Sequence, residues 1–201
     1  MKMKAFFRHY VLIPSIVTVA VFVLMCVLGY FGFSLKIDAA QEIMRQFAEM
    51  IDQKGIISDS GDIKVVALFL NNWKASGISL ILGFVPFLFL PVFVLLTNSA
   101  VTGGVFAVMG ASGGKILMNI VTGILPHGIF EIPALCISIA MGFQLCRFIC
   151  SKILDRGRLN SVGAGTFFIN TAKVFLFIVT PMLIIAALVE TYITPVIMGI
   201  V

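Results

Sequence analysis

His127 and Glu131 stand four residues apart in the string Leu125-Pro126-His127-Gly128-Ile129-Phe130-Glu131-Ile132-Pro133-Ala134, and Glu190 stands in Leu188-Val189-Glu190-Thr191. On a helix the first two would project from one face, a turn apart and within hydrogen-bonding reach. Pro126 suits the first turn of such a helix, where its missing donor does no harm. An imidazole and a carboxylate so placed can clamp helices together, handle protons or ions, or supply two ligands to a metal. Zinc takes three or four ligands and no HExxH string is present, so Glu190, Asn98 or Asn119 would have to complete a shell. The plainer reading, a polar clamp, comes first, ahead of proton or ion handling and then of metal binding or catalysis. Pattern alone does not bring positions 131 and 190 together.

Composition says why these few residues matter. Of 201 residues, 60% are hydrophobic and 11% charged, with a mean hydropathy of +1.13. A soluble domain is about 25% charged, so the chain is an integral membrane protein, in which an ionisable side chain costs about 2.5–3.5 kcal/mol to bury in hydrocarbon. The 14 Lys and Arg against 9 Asp and Glu give a net +5, but the basic residues gather beside apolar runs as in cytoplasmic loops, and nucleic acid is set aside. Cys26, Cys136, Cys146 and Cys150 lie in or beside apolar stretches without metal-ligand spacing, and read as small buried hydrophobes rather than a disulfide framework.

A spanning helix needs about 20 apolar residues. Residues 10–33 meet that length behind Lys2, Lys4 and Arg8, which keeps the amino terminus inside. Runs near 76–97 (containing Pro86 and Pro91, hence bent), 99–112, 128–149 and 171–189 supply four more, the last ending at Glu190 and Pro195. Arg147, Lys152, Arg156 and Arg158 mark a second cytoplasmic segment, which demands an even number of crossings before it. Five spans satisfy that parity if 116–125 is re-entrant or interfacial. The expected fold is therefore all-α: a polytopic transmembrane bundle of about five spans with a re-entrant or broken helix.

Residues 36–64 carry Lys36, Arg45, Lys54 and Lys64 against Asp38, Glu42, Glu49, Asp52, Asp59 and Asp62. Ile37, Ala40, Met44, Phe47 and Ile51 recur at helical steps with charges on the other faces, which predicts an extracellular amphipathic helix stopped by Gly55. Such a helix could lie on the outer membrane-water interface, cap the bundle or dock a partner, and capping is the plainer role. Gly103, Ala107 and Ala111, spaced by four, predict close helix packing. The chain thus divides into a basic amino terminus with a first span (1–35), the amphipathic segment (36–64) and a transmembrane core (65–201).

Two short strings carry less. Gly110-Ala111-Ser112-Gly113 is similar to the serine motif of rhomboid intramembrane proteases, but the one histidine nearby, His127, is only fifteen residues on. GASGGK lacks the first glycine and the final Ser or Thr of a phosphate-binding loop. Glu131-Ile132-Pro133 and the stretch from Glu190 to Pro195 faintly repeat an acid-near-proline pattern, as transporter half-repeats do.

The ordered strings NNW (71–73), an apolar run with Gly83 and two prolines, TNSAVTGG (97–104), LPHGIFEIPA (125–134), Gly142, a basic loop and LVETYITP (188–195) resemble the stage II sporulation protein M family over roughly residues 65–195. Members usually carry Asn-Gly where this chain has Asn98-Ser99. The resemblance implies a multi-pass prokaryotic membrane protein that, in sporulating members, anchors peptidoglycan-degrading partners. The expected function is a non-enzymatic scaffold for envelope remodelling, with a small transporter or ion conduit using the His/Glu residues as the alternative and an intramembrane hydrolase third. Expected partners are the bilayer, proteins at the outer face and further copies of the chain; no cofactor is implied.

Overall fold

The computed structural model describes residues 6–56, 63–111, 116–154 and 163–199. The fold is an all-α bundle. Five helices among the described residues are long and apolar enough to cross a membrane: α1 (Phe7–Ser34), α3 (Val65–Phe84), α4 (Pro91–Ala111), α5 (Leu117–Ile153) and α6 (Ala164–Met198). A shorter α2 (Ile37–Gln53) joins α1 to α3. Apolar side chains such as Ile16, Leu24, Phe31, Ile81, Phe93 and Phe177 stand exposed on the outside of the bundle, as lipid requires.

α5 is the axis of the molecule. Its run from Ala134 to Cys146 is buried at nearly every position, and α1, α3, α4 and α6 all pack on it. At one end Phe148 stacks on Phe167 with ring centroids 4.2 Å apart, and Phe6 meets Phe167 edge-on at 5.5 Å. That cluster joins the start of α1, the end of α5 and the start of α6 at one face. Small residues let the backbones meet further along. A Cβ on Gly103 would lie 2.6 Å from the Cys26 carbonyl oxygen of α1, and a Cβ on Gly83 would overlap the Gly142 backbone. Ala107 is buried on the same side as Gly103, whereas Ala111 is exposed at the end of α4.

Prolines shape the long helices through π-helical turns. Such turns at Phe7–Leu12, Ile120–Ile124, Phe175–Val179 and Val189–Ile193 come just before Pro14, Pro126, Pro181 and Pro195. A proline ring collides with the carbonyl four residues back; a wider turn upstream displaces that carbonyl and lets the helix continue. Thr180 and Thr194, which precede two of these prolines, donate hydroxyl bonds to the carbonyls five residues back, Phe175 (3.1 Å) and Val189 (3.2 Å).

Several expected boundaries move. The apolar run 76–97 is not one bent span: it joins the end of α3 to the start of α4, and the span expected at 99–112 begins at Pro91. Residues 85–90 form an apolar turn, with Phe87 (φ 68°) and Phe89 (φ 47°) in the left-handed region. Hydropathy misses this turn because it contains no polar residue. The Phe87 N–H donates to Cys150 Sγ at 3.1 Å and the Cys146 thiol donates to the Val85 carbonyl at 3.4 Å, so α5 supplies partners for the irregular backbone. Residues 116–125 are not re-entrant; they form the first turns of the helical rod that continues as α5, because the π turn before Pro126 carries the helix past the proline. Likewise Glu190 and Pro195 lie inside α6 rather than at its end.

The amphipathic helix lies as expected over 37–51, extends to Gln53, and is followed by Gly55 at φ 61°. Ala40 is buried and the Met44 Cε would lie 3.6 Å from a Cβ on Gly104, so α2 rests on α4 at the face opposite the aromatic cluster. Its outer side holds Arg45 between Glu42 and Glu49. The cysteines are free; Cys26, Cys136 and Cys146 are buried and Cys150 is half-buried.

Candidate functional site

Four helices, α3, α4, α5 and α6, direct polar side chains into one part of the interior, and the exposed Lys54 that follows α2 lines its edge. α5 projects His127 and Glu131 from adjacent turns of one face, and α6 brings Glu190 to them. His127 Nε2 lies 3.9 Å from Glu190 Oε2. One ligand-type atom from each of His127, Glu131 and Glu190 lies within 4.8 Å of the others. Packing of Ala134 on Val179 and Leu183 fixes the separation of the two helices beside this cluster.

These three groups approach one another without bonding. A hydrogen bond would need about 2.7–3.2 Å, and Glu131 accepts none from the described residues. His127 Nδ1 and the adjacent Thr191 hydroxyl are buried with no partner among them.

Glu131 also faces a cavity of about 490 Å³ whose polar lining includes Lys54, Asn71, Asn72, Ser76, Asn98 and Thr102. Lys54, at the end of α2, donates to Asn71 Oδ1 at 2.7 Å, and Asn71 Nδ2 donates to Asn72 Oδ1 at 3.2 Å. Asn98 Nδ2 bonds back to the Val94 carbonyl at 2.8 Å, which turns its amide along its own helix. Ser76 is fully buried and its hydroxyl has no partner among the described residues. The third residue of the NNW string acts elsewhere: the Trp73 indole donates to Thr180 Oγ1 at 3.1 Å and ties α3 to α6.

Of the residues singled out by sequence, His127, Glu131 and Glu190 converge, and Asn98 joins them through the cavity. Asn119 does not line that cavity; it sits half-buried two turns before His127. Gly103 serves the α1 and α4 contact, and Ala107 is buried one turn further along α4. Ser112, the rhomboid-like serine, lies outside the described residues, as do Arg156 and Arg158. Sequence reasoning missed Lys54, Ser76 and Thr102. The hydroxyl residues gave no signal, because serine and threonine commonly bond their own helix in membranes, as Thr102 does to the Asn98 carbonyl at 2.9 Å.

Every string that supplies the cluster falls within one match: the model of the stage II sporulation protein M family covers residues 18–195. The chain belongs to the stage II sporulation protein M family. The match starts within α1, before the residue 65 at which the resemblance begins, and takes in α2. No curated protein matches the chain, and no solved structure does.

Proposed function

We propose that this membrane protein resides in the cytoplasmic membrane with its amino terminus inside and anchors partners of envelope remodelling, without catalysing a reaction of its own. The observation that carries the reading is α2: one side rests on the bundle through Ala40 and Met44, and the other presents Glu42, Arg45 and Glu49 to solvent. A peptidoglycan-degrading partner is what the resemblance to the sporulation family implies, and that partner is proposed for this face. Orientation follows from charge. Arg8, Arg147 and Lys152 lie toward the face that holds the aromatic cluster, and a basic face stays in the cytoplasm. A photo-crosslinker placed at Gln41 or Gln46 in living cells should capture a peptidoglycan-degrading enzyme; lipid adducts alone would count against the anchor.

A second reading, a small transporter or ion conduit, draws on the convergence of His127, Glu131 and Glu190 beside a polar cavity. It expects cation flux in proteoliposomes that Glu131→Gln abolishes. Wild-type vesicles that move no ion would end it.

A further inference from the structure

We propose that His127, Glu131 and Glu190 form a binding site for a divalent transition-metal ion of the zinc or manganese class. The inference goes beyond both functional readings, since an ion can be held whether or not anything is anchored or conducted.

Spacing is the first argument. The three ligand-type atoms fall within 4.8 Å of one another, but the one ion-pair contact among them is 3.9 Å long. They stand too far apart to satisfy each other and too close to ignore each other. Metal bonds of about 2.0–2.2 Å set ligand atoms roughly 3–4.4 Å apart around one ion. Small side-chain rotations would draw these three, already within 4.8 Å of one another, into that range.

Charge is the second. Two carboxylates share the bundle interior with a single imidazole, and no lysine or arginine pairs with either among the described residues. Lys54 lines the same cavity as Glu131 but is bonded to Asn71. Two carboxylates with one imidazole between them leave negative charge uncompensated inside the protein, which is costly. A dication balances both and leaves the imidazole neutral, the form in which histidine binds metal. A helix clamp would instead leave these groups bonded to one another, whereas among the described residues Glu131 accepts no hydrogen bond and the contact between His127 and Glu190 is 3.9 Å long.

Ligand type selects the ion. One nitrogen with two carboxylates suits zinc, manganese or ferrous iron; calcium and magnesium prefer oxygen alone, and copper(I) prefers sulfur. Three protein ligands leave a coordination position open, and Glu131 faces the cavity through which a hydrated ion can arrive from the α2 face past Asn71, Asn72 and Asn98.

The test uses the full-length chain, tag removed, in nanodiscs after chelator treatment. Zn²⁺ and Mn²⁺ are titrated, bound metal is counted by mass spectrometry, and the Tm is followed. The expected result is one equivalent per chain with a saturable rise in Tm, weakened more than about 10-fold by Glu131→Gln, Glu190→Gln or His127→Gln and unchanged by Asn119→Ala. A folded wild type that binds neither ion overturns the proposal, and so do Gln variants that bind like wild type. Co²⁺ gives a readout that needs no variant: a nitrogen and oxygen ligand field supports the site, and a thiolate charge-transfer band, which would place the ion on a cysteine, overturns it. Binding without flux would end the conduit reading and leave the metal site standing; flux without binding would do the reverse.

Discussion

Gly103 and Gly104 are neighbours on α4 with different surroundings. A methyl group on Gly103 would press into the α1 backbone, 2.6 Å from the Cys26 oxygen, whereas one on Gly104 would meet only the ends of Phe33 and Met44 at 3.5–3.6 Å. Gly103→Ala should therefore destabilise the protein by about 1–3 kcal/mol. Gly104→Ala should be neutral or gain up to about 1 kcal/mol of helix propensity. Thermal unfolding of both variants in one detergent checks the pair; equal Tm values would mean the α1 and α4 contact is looser than drawn. On α2, hydrogen bonds from Arg45 first and Gln46 second hold the Glu42 carboxyl at about 2. Because this lies below the usual value of about 4.3, the contribution of Glu42 is present above pH 4.3 and is lost as pH falls through about 2. Carbon-detected NMR should find that midpoint in wild type and a return toward about 4.3 in Arg45→Gln. Residue spacing made the His127 and Glu131 pairing legible, since both lie on one helix. Their meeting with Glu190 was not legible, because it depends on how α6 lies against α5, and Ser76 stayed hidden because a buried serine looks like any other.

At the scale of elements, Trp73 and Thr180 join α3 to α6 just before the proline at 181, and Thr180 also donates to the carbonyl of Phe175. Thr180→Val leaves the indole N–H without its acceptor. We expect a loss of about 0.6–2 kcal/mol, and Trp73→Phe in the same background should add less than it does alone, which a double-mutant cycle in thermal unfolding would measure. Full additivity would show that the two side chains do not interact. Helix existence could be read from apolar runs, and α2 from its periodicity. The ends could not. Pro126 and Pro195 read as helix boundaries, but the π turns before them carry the helices on. The true break at 85–90 had no polar residue to announce it, and its two left-handed phenylalanines are a tertiary outcome.

For the molecule as a whole, crossing by all five long apolar helices predicts that the end of α2 and the end of α5 lie on opposite sides of the membrane. In a chain with its four cysteines replaced, Gln53→Cys should react with an impermeant maleimide added outside whole cells, and Gly157→Cys should react only after permeabilisation. Labelling of both from one side would overturn the five-span arrangement. Composition made the membrane class plain at once, because 11% charged residues cannot cover a soluble surface. Charge clusters predict an orientation, which labelling tests; the cavity beside Glu131 was invisible, since the helices that line it are ordinary.

The apolar turn at 85–90 bears on how the chain is made. Its irregular backbone is satisfied by Cys150, 63 residues further along, and its neighbour Gly83 seats against Gly142. When α3 and α4 leave the ribosome, neither partner exists yet. The hairpin also carries no charge at its bend to fix it to one side of the membrane. It must therefore wait in the insertion machinery or in lipid, unlocked, until α5 emerges. Synthesis of α5 is the moment at which the bundle commits to its final arrangement, and a chain cut short before residue 142 should remain a loose hairpin open to quality-control proteolysis.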